Sequence, residues 1–204
     1  TLQGLNLTLK PGEWVGLAGR TGSGKTTLLR LLPRLEDPSE GQVELWGREL
    51  KAWPLKALRR RLALVAQEPF LFSETVLENI TFAYEGSAQE RFDEALAASK
   101  LADFHDVAAN LPQGYESLLG EKGVNLSGGQ KQRLALARAL FVQPDLLLLD
   151  DAFSAVDTAT EERIVQGLRD ALPNTAVLLV SHRVSTLKLC SRVLILEDGR
   201  ISAD

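Results

Sequence analysis

The residue types with the clearest chemistry form a glycine-rich loop over residues 19–26, which reads Gly-Arg-Thr-Gly-Ser-Gly-Lys-Thr. The loop follows an apolar stretch and precedes leucines with helical spacing. Glycines let backbone N–H groups turn inward toward phosphate oxygens, and a helix N-terminus adds partial positive charge. In this pattern Lys25 bridges the β- and γ-phosphates of a nucleotide, and the Thr26 hydroxyl ligates Mg²⁺. The expected phosphate-binding residues are Gly19, Arg20, Thr21, Gly22, Ser23, Gly24, Lys25, Thr26 and Thr27.

A pair of acids follows a fully apolar run later in the chain. Residues 146–149 are four leucines, which predicts a short buried strand, and Asp150 and Asp151 come directly after it. Ligands of open α/β sheets bind at the carboxyl ends of the strands. We therefore expect Asp150 to reach the Mg²⁺ held by Thr26. An acid after a strand could equally cap a helix, so this prediction depends on the phosphate loop.

The elements that must position these side chains alternate between strands and helices. Apolar runs at 14–18, 62–66, 176–180 and 193–196 predict buried strands. Because such runs are bounded by turns and separated by helices, they indicate an α/β fold with a parallel sheet covered on both faces. The alternating leucines of residues 1–10 predict a half-buried strand, and Thr158 with Glu161 predicts a capping box that opens a helix.

Composition excludes several classes of protein. The sequence has 204 residues, one cysteine, no methionine and a net charge of -4. One cysteine excludes a disulfide framework and a cysteine-ligated zinc site. The longest apolar runs fall far short of the ~20 residues of a membrane span, and the acidic balance argues against a nucleic-acid partner. Because methionine is missing, we expect this chain to be a fragment of a longer one.

A third motif gives the chain a family resemblance. Residues 126–130 read Leu-Ser-Gly-Gly-Gln and open a predicted helix with Ser127 as its N-cap. The phosphate loop, this segment and the strand acid, in that order, resemble the ATP-binding domain of ABC transporters over essentially the whole chain. Gln67 matches the family's Q-loop, residues 154–157 its D-loop, and His182 its switch histidine. Residues 120–123 resemble the x-loop of exporters, and residues 67–80 also resemble exporter half-transporters.

The resemblance implies a P-loop NTPase (RecA-like) core with a mostly parallel sheet, a small antiparallel β portion near the N-terminus and an inserted α-helical subdomain. Residues 1–204 would form one ABC ATPase domain. Residues 1–73 and 141–204 would form the α/β core, and residues 74–140 the helical subdomain that carries the signature motif. The implied ligands are ATP and Mg²⁺.

The resemblance also implies partners and roles for single residues. Two such domains would form a head-to-tail dimer with two ATP molecules between them, beneath a transmembrane domain of the same chain at the cytoplasmic face of the cell membrane. The implied Mg²⁺ ligands are Thr26, Gln67 and Asp150, and the implied catalytic residues are Asp151, His182, Gln67 and Lys25. Gln67 and His182 would also contact this chain's own ATP. The residues implied to reach the partner's ATP are Ser127, Gly128, Gly129, Gln130 and Asp157.

Asp151 departs from the family pattern, which has glutamate at this position to polarise the attacking water. Aspartate is one methylene shorter, and general-base catalysis depends on hydrogen-bond reach. The hypothesis is a site that binds ATP but hydrolyses it slowly, as in one subunit of a heterodimeric exporter whose partner supplies the glutamate. The alternatives are a homodimeric exporter in which Asp151 works as the base, a soluble ABC ATPase acting on ribosomes or DNA, and a regulatory nucleotide-binding module.

Overall fold

The computed structural model describes residues 2–204 and contains eight strands and eight α-helices within that range. The strands are β1 (Trp14–Ala18), β2 (Glu44–Leu45), β3 (Arg48–Glu49), β4 (Leu62–Val65), β5 (Leu146–Asp150), β6 (Ala176–Val180), β7 (Arg192–Glu197) and β8 (Arg200–Ala203). The helices are α1 (Lys25–Leu31), α2 (Leu55–Arg59), α3 (Val76–Ile80), α4 (Phe92–Leu101), α5 (His105–Ala109), α6 (Gly128–Phe141), α7 (Thr158–Ala171) and α8 (Val184–Leu187).

Six of the strands form one sheet in the order β4-β5-β6-β1-β7-β8. The pairs β5–β6, β6–β1 and β1–β7 are parallel, whereas β8 returns antiparallel to β7. A separate antiparallel hairpin joins β2 to β3. The expected fold class, an α/β domain with a mostly parallel sheet, a small antiparallel portion and added helices, is therefore confirmed.

The central strands β5 and β6 are buried, and their sequences are apolar apart from Asp150 at the end of β5. All five residues of β5 and all five of β6 are buried. Continuous apolar strands of this kind require helices or loops on both sides of the sheet. The core around the sheet consists of Val15, Leu17, Leu28, Leu29, Leu32, Leu50, Leu58, Leu62, Leu146, Leu148, Ala176, Leu178, Val180, Leu194 and Leu196.

The register of the parallel strands brings three chain segments to one edge. Asp150 on β5 pairs with Val180 on β6, and Val180 in turn pairs with Leu17 on β1. The carboxyl ends of these three strands are therefore level. The phosphate loop leaves β1 at this edge, the acid pair leaves β5, and His182 follows β6.

Two local predictions are wrong. Residues 2–9 form no strand, and Thr1, the first residue of the predicted strand, lies outside the described residues. The alternating leucines of this segment do pack against the core, but the segment joins no ladder of a neighbouring strand. At α7 the N-cap is Asp157, whose carboxylate accepts a hydrogen bond from the Thr160 N–H at 3.0 Å, so Thr158 is the first helical residue and not the cap.

The chain forms two compact units. The first comprises residues 1–64, 144–151 and 174–204, and the second comprises residues 65–143 and 152–173. In the second unit α4 and α6 pack together, and Phe104 and Leu134 are fully buried. The second unit extends beyond the 74–140 segment, and the division into a core and a helical subdomain at residues 73 and 141 stays a prediction. No helix within residues 2–204 is both long and apolar enough to cross a membrane.

Candidate functional site

The phosphate loop has the backbone that its glycines allow. Gly19 has a φ of 155°, and a Cβ atom there would lie 2.3 Å from the Leu196 carbonyl oxygen and 2.8 Å from Ser23 Oγ. No residue other than glycine fits that position. Gly24 precedes α1 with a φ of 108°, which turns the chain from the loop into the helix. The predicted loop between a strand and a helix is therefore present.

The Lys25 ammonium group lies inside the loop. It donates hydrogen bonds to the Gly19 carbonyl at 2.7 Å and to the Arg20 carbonyl at 2.9 Å. Burial lowers the pKa of Lys25, while the nearby carboxylates of Asp150 and Asp151 act to raise it. The side chain is only 7% exposed, so its positive charge is concentrated at the loop and poorly screened by water.

Thr26 and Asp150 form the second half of the site. The Thr26 hydroxyl donates to Asp150 Oδ2 at 3.1 Å, although 124 positions separate the two residues in sequence. Burial raises the pKa of the Asp150 carboxyl, and Asp151 raises it further. The Thr26 hydrogen bond and the charges of Lys25 and His182 oppose these shifts. A hydroxyl and a carboxylate that share one hydrogen bond can both present oxygen to a small cation.

The first unit offers a donor for a bound phosphate and oxygen atoms for a magnesium ion. Ser23 Oγ is buried without a hydrogen-bond partner among the described residues, at the loop where a phosphate oxygen would accept its proton. Magnesium is usually held by one or two carboxylates together with phosphates and water, and not by a cage of protein ligands. Thr26 and Asp150 offer one hydroxyl and one carboxylate for a site of this open kind.

Asp151 and His182 lie at the same edge. The Asp151 N–H donates to the Val180 carbonyl at 3.0 Å, which ties the residue after β5 to the end of β6. Its φ of 47° is in the left-handed region, where aspartate is enriched among non-glycine residues. His182 is exposed in the bend between β6 and α8, and its charge acts on Asp150. The first unit therefore brings together Lys25, Thr26, Asp150, Asp151 and His182.

The remaining predicted site residues belong to the second unit. Gln67 is exposed and follows β4. Ser127 and Gln130 form a capping box at the start of α6, because the Ser127 hydroxyl accepts from the Gln130 N–H and the Gln130 side chain accepts from the Ser127 N–H. Gly128 is exposed in the first turn, and Gly129 follows it. Asp157 is the N-cap of α7, so its carboxylate already has a structural partner.

Two polar residues of α6 match no sequence motif but bond to distant segments of the second unit. Gln132 is 4% exposed, and Arg138 donates to the Asn79 and Phe70 carbonyls at 2.9 and 2.8 Å. The guanidinium also lies 5.2 Å from the Phe72 ring centroid. A signal for Gln132 exists, since it occupies the same helical face as Ala135, Leu136 and Ala139, where a periodic pattern calls for an apolar residue.

Comparisons with known proteins identify the family. A family model described as ABC transporter matches residues 2–154. This is three quarters of the chain and includes the phosphate loop, the signature segment and the acid pair. The chain belongs to the ABC transporter family. The segments that resemble exporters can therefore be read as parts of an ABC transporter ATP-binding domain.

The similar proteins include several transporters. The protein named "Multidrug resistance-like ATP-binding protein MdlA" from Escherichia coli (strain K12) is 44% identical over 201 residues, which cover 98% of this chain and 34% of that protein. An "ATP-dependent lipid A-core flippase" from Methylobacillus flagellatus is 42% identical over 197 residues, which cover 97% of this chain and 33% of the flippase. Among solved structures, a bacterial Atm1-family ABC exporter with ATP bound has a TM-score of 0.93 and 38% identity over 99% of this chain.

The matched proteins are much longer than this ABC domain. The chain spans about a seventh to a third of the length of the curated relatives, from 14% to 34%. It likewise covers 35% of the matched exporter chain. The domain is therefore similar to one part of each transporter, the part that carries the ATP-binding motifs.

We expect Asp150→Asn to stabilise the domain while it removes the Mg²⁺ dependence of nucleotide binding. Since burial raises the pKa of Asp150, the folded state binds its proton more tightly than the unfolded state, and the ionised carboxylate costs stability at neutral pH. Asparagine keeps an oxygen for the Thr26 hydroxyl but has no charge. The melting temperature should rise by about 2–4 °C for each kcal/mol gained.

The pH dependence of the melting temperature tests the cause of the stability gained in Asp150→Asn. As the pH falls through the raised pKa toward the ordinary value near 3.8, Asp150 takes up its proton in the parent and the advantage of asparagine should disappear. Asp145→Asn is the matched control, because Asp145 is exposed and paired with Arg61 at 2.6 Å. It should neither raise the melting temperature nor change the effect of Mg²⁺. Mg²⁺-dependent binding that survives Asp150→Asn would contradict the assignment.

Proposed function

We propose that this chain is the ATP-driven motor of an ABC exporter and that its own ATP site hydrolyses slowly. The observation that carries the proposal is the meeting of Lys25, Thr26 and Asp150 at the carboxyl edge of the sheet, followed directly by Asp151. The exporter assignment is supported by relatives named as a multidrug resistance-like protein and a lipid A-core flippase.

The first unit offers donors that match the phosphates of ATP. Lys25 would exchange its hydrogen bonds to the Gly19 and Arg20 carbonyls for phosphate oxygens, and Ser23 Oγ would gain the partner it lacks. Thr26 and Asp150 would hold Mg²⁺, which neutralises phosphate charge when it is bound. Gln67 is proposed as a further Mg²⁺ ligand, and His182 as a hydrogen-bond donor to the γ-phosphate.

We expect the short side chain of Asp151 to limit the rate of ATP hydrolysis at this site. A general base contributes about 10²–10⁴-fold to a rate and must lie within hydrogen-bond reach of the proton that it removes. The Asp151 N–H donates a hydrogen bond to the Val180 carbonyl. This bond restrains the backbone of Asp151, so a backbone shift does not compensate for a side chain that is one methylene shorter than glutamate. We therefore expect ATP to bind and persist at this site, with hydrolysis slower than at a site that has glutamate.

A site that hydrolyses ATP slowly is compatible with a dimer of two different ATP-binding domains. The signature residues Ser127, Gly128, Gly129 and Gln130, together with Asp157, would complete the ATP site of a partner domain that supplies a catalytic glutamate. The signature segment of this chain is intact and opens a capped helix. The pairing proposed is therefore a head-to-tail heterodimer at the cytoplasmic face of a membrane, joined to transmembrane helices.

The exporter proposal is tested by the location and activity of the full-length protein. An exporter should remain with membranes after alkaline washing, require detergent for extraction and hydrolyse ATP in a vanadate-sensitive manner once reconstituted in lipid vesicles. Recovery of the full-length protein in the soluble fraction, with ATPase activity that does not respond to lipid, would instead favour a soluble ABC ATPase.

The homodimeric alternative is tested by the subunit composition of the purified protein and by its rate of ATP hydrolysis. Purification of the full-length protein should recover a second ABC chain in equal amount, and the protein alone should hydrolyse ATP at least about tenfold more slowly than the pair, given the size of a general-base contribution. A protein that purifies alone and hydrolyses ATP at the rate of the pair would show that Asp151 works as the base.

A further inference from the structure

Gln132 lies at a junction of three segments of the second unit. It is the fifth residue of α6, whose first turn carries the signature glycines, and it is 4% exposed. Its Nε2 donates to the Gln67 carbonyl at 3.2 Å and to Ser154 Oγ at 2.8 Å. Its Oε1 accepts from the Ala155 N–H at 2.9 Å. One side-chain amide therefore bonds to residues 65 positions before it and 23 positions after it.

The two backbone partners fix the orientation of this amide. A backbone N–H can only donate and a carbonyl can only accept, so Oε1 must face Ala155 and Nε2 must face Gln67. Rotating the amide by half a turn would break both bonds. Three of its four hydrogen-bonding positions are then used, which is a high degree of satisfaction for a buried glutamine.

A close approach between two backbones adds a second link. A Cβ atom at Gly129 would lie 2.5 Å from the Ala155 carbonyl oxygen, and one at Gly128 would lie 3.2 Å from the Ala155 Cβ. The first turn of α6 therefore packs directly on the turn at 154–156. Gly129 is needed for this contact in addition to any role toward a ligand, because backbone atoms cannot yield to a side chain.

Gln67 and Ala155 are both exposed, so their backbones are not fixed by packing of their own side chains in the core. The side chain of Gln132 supplies hydrogen bonds from α6 to both of their backbones. A hydrogen-bonded network around one buried amide restricts the relative positions of all its members. Loss of the amide would remove the hydrogen bonds from α6 to the segment after β4 and to the turn before α7 at the same time.

We propose that Gln132 is a positioning residue that holds the Gln67 backbone, the turn at 154–155 and the start of α6 as one body. The inference rests on the proposed function, in which these segments belong to the ATP sites of a dimer. Misplacing a positioned group by about 1 Å can cost on the order of 10²-fold in rate. Gln132 would therefore affect turnover without touching ATP.

The test uses two substitutions in the full-length protein assembled with its partner. Gln132→Leu removes all three hydrogen bonds. Gln132→Glu keeps an acceptor for the Ala155 N–H but turns an oxygen toward the Gln67 carbonyl. The NMR shift of the Gln67 carbonyl carbon, which reports the hydrogen bond that this carbonyl accepts, should change in both variants. Hydrogen exchange at the Ala155 amide should rise in Gln132→Leu alone.

Kinetics provides the second readout. Both variants should lower kcat by about tenfold to a hundredfold while the ATP KM changes less than about threefold, as expected when positioning and not ground-state binding is lost. Gln166→Glu is the matched control for the same chemical change, since Gln166 is exposed on α7 and bonded to Asp170 within its own helix. Val165→Ala controls for destabilisation of the same unit, because Val165 is buried.

The outcomes separate the positioning role from the proposed function. A fall in kcat no larger than that of Val165→Ala, or exchange that rises equally across α4, would overturn the positioning role. If the parent assembly shows no ATP turnover at all, the proposed function fails, while the Gln67 carbonyl shift and the exchange at the Ala155 amide still decide whether Gln132 joins the two segments.

Discussion

Lys25→Ala is expected to weaken ATP binding by about two to four orders of magnitude. The ammonium group is the positive charge inside the phosphate loop, held there by the Gly19 and Arg20 carbonyls. A hydrogen bond to a charged group is worth roughly 1.5–3 kcal/mol, and each 1.4 kcal/mol is tenfold in affinity. Two such bonds to phosphate account for the expected loss. Equilibrium titration of the purified full-length protein with a fluorescent ATP analogue measures it.

Two controls apply to Lys25→Ala: a second lysine variant, and the pH dependence of ATP affinity. Lys51→Ala removes an exposed lysine from the same unit and should leave the affinity unchanged. Burial lowers the pKa of Lys25, so the parent should lose affinity as the pH rises toward that lowered value, below the ordinary 10.5. The variant should show no such alkaline loss. An affinity within about threefold of the parent, in a folded Lys25→Ala protein, would remove Lys25 from the site.

Asp151→Glu is expected to raise hydrolysis at this chain's own site by about tenfold to a hundredfold. The added methylene moves the carboxylate toward the water, and a general base supplies about 10²–10⁴-fold when it is in reach. The substitution should lower stability slightly, because φ at this position is 47° and glutamate is less common than aspartate in the left-handed region. Single-turnover hydrolysis, measured with the partner's site inactivated, reports the rate.

Asp151→Asn is the matched control, since asparagine also tolerates the left-handed conformation and keeps the size of aspartate. If the Asp151 carboxylate of the parent protein lies too far from the attacking water, removing its charge should change the slow rate of ATP hydrolysis by less than about threefold. Rapid hydrolysis by the parent, abolished in Asp151→Asn, would show that aspartate is a working base. The heterodimer proposal would then lose its main support.

Much of the scaffold could be predicted because its strands are apolar without interruption. The runs at 146–149 and 176–180 correspond to β5 and β6, and the pattern of strands separated by helices identified a parallel sheet. The convergence of the phosphate loop with Asp150 follows from the rule that parallel strands end at one edge. The structure adds the register, with Asp150, Val180 and Leu17 level across three strands.

Other features depend on partners that no local pattern reveals. The leucines of residues 2–9 alternate as in a strand, but a strand also needs a neighbour along its backbone, and none pairs with this segment. The cap of α7 was misplaced by one residue because Thr158 and Asp157 are both good capping residues. Gln132 was overlooked because its partners, Gln67 and Ala155, are distant in sequence.

The most direct test of a slow own site is the state of the nucleotide bound to this chain. The full-length protein, assembled with its partner and supplied with radiolabelled ATP and Mg²⁺, is stopped after several turnovers, and the nucleotide crosslinked to each chain is identified. We expect intact ATP on this chain, retained at the Lys25 loop, and ADP at the partner's loop. ADP on this chain, formed at the overall rate of the assembly, would contradict it.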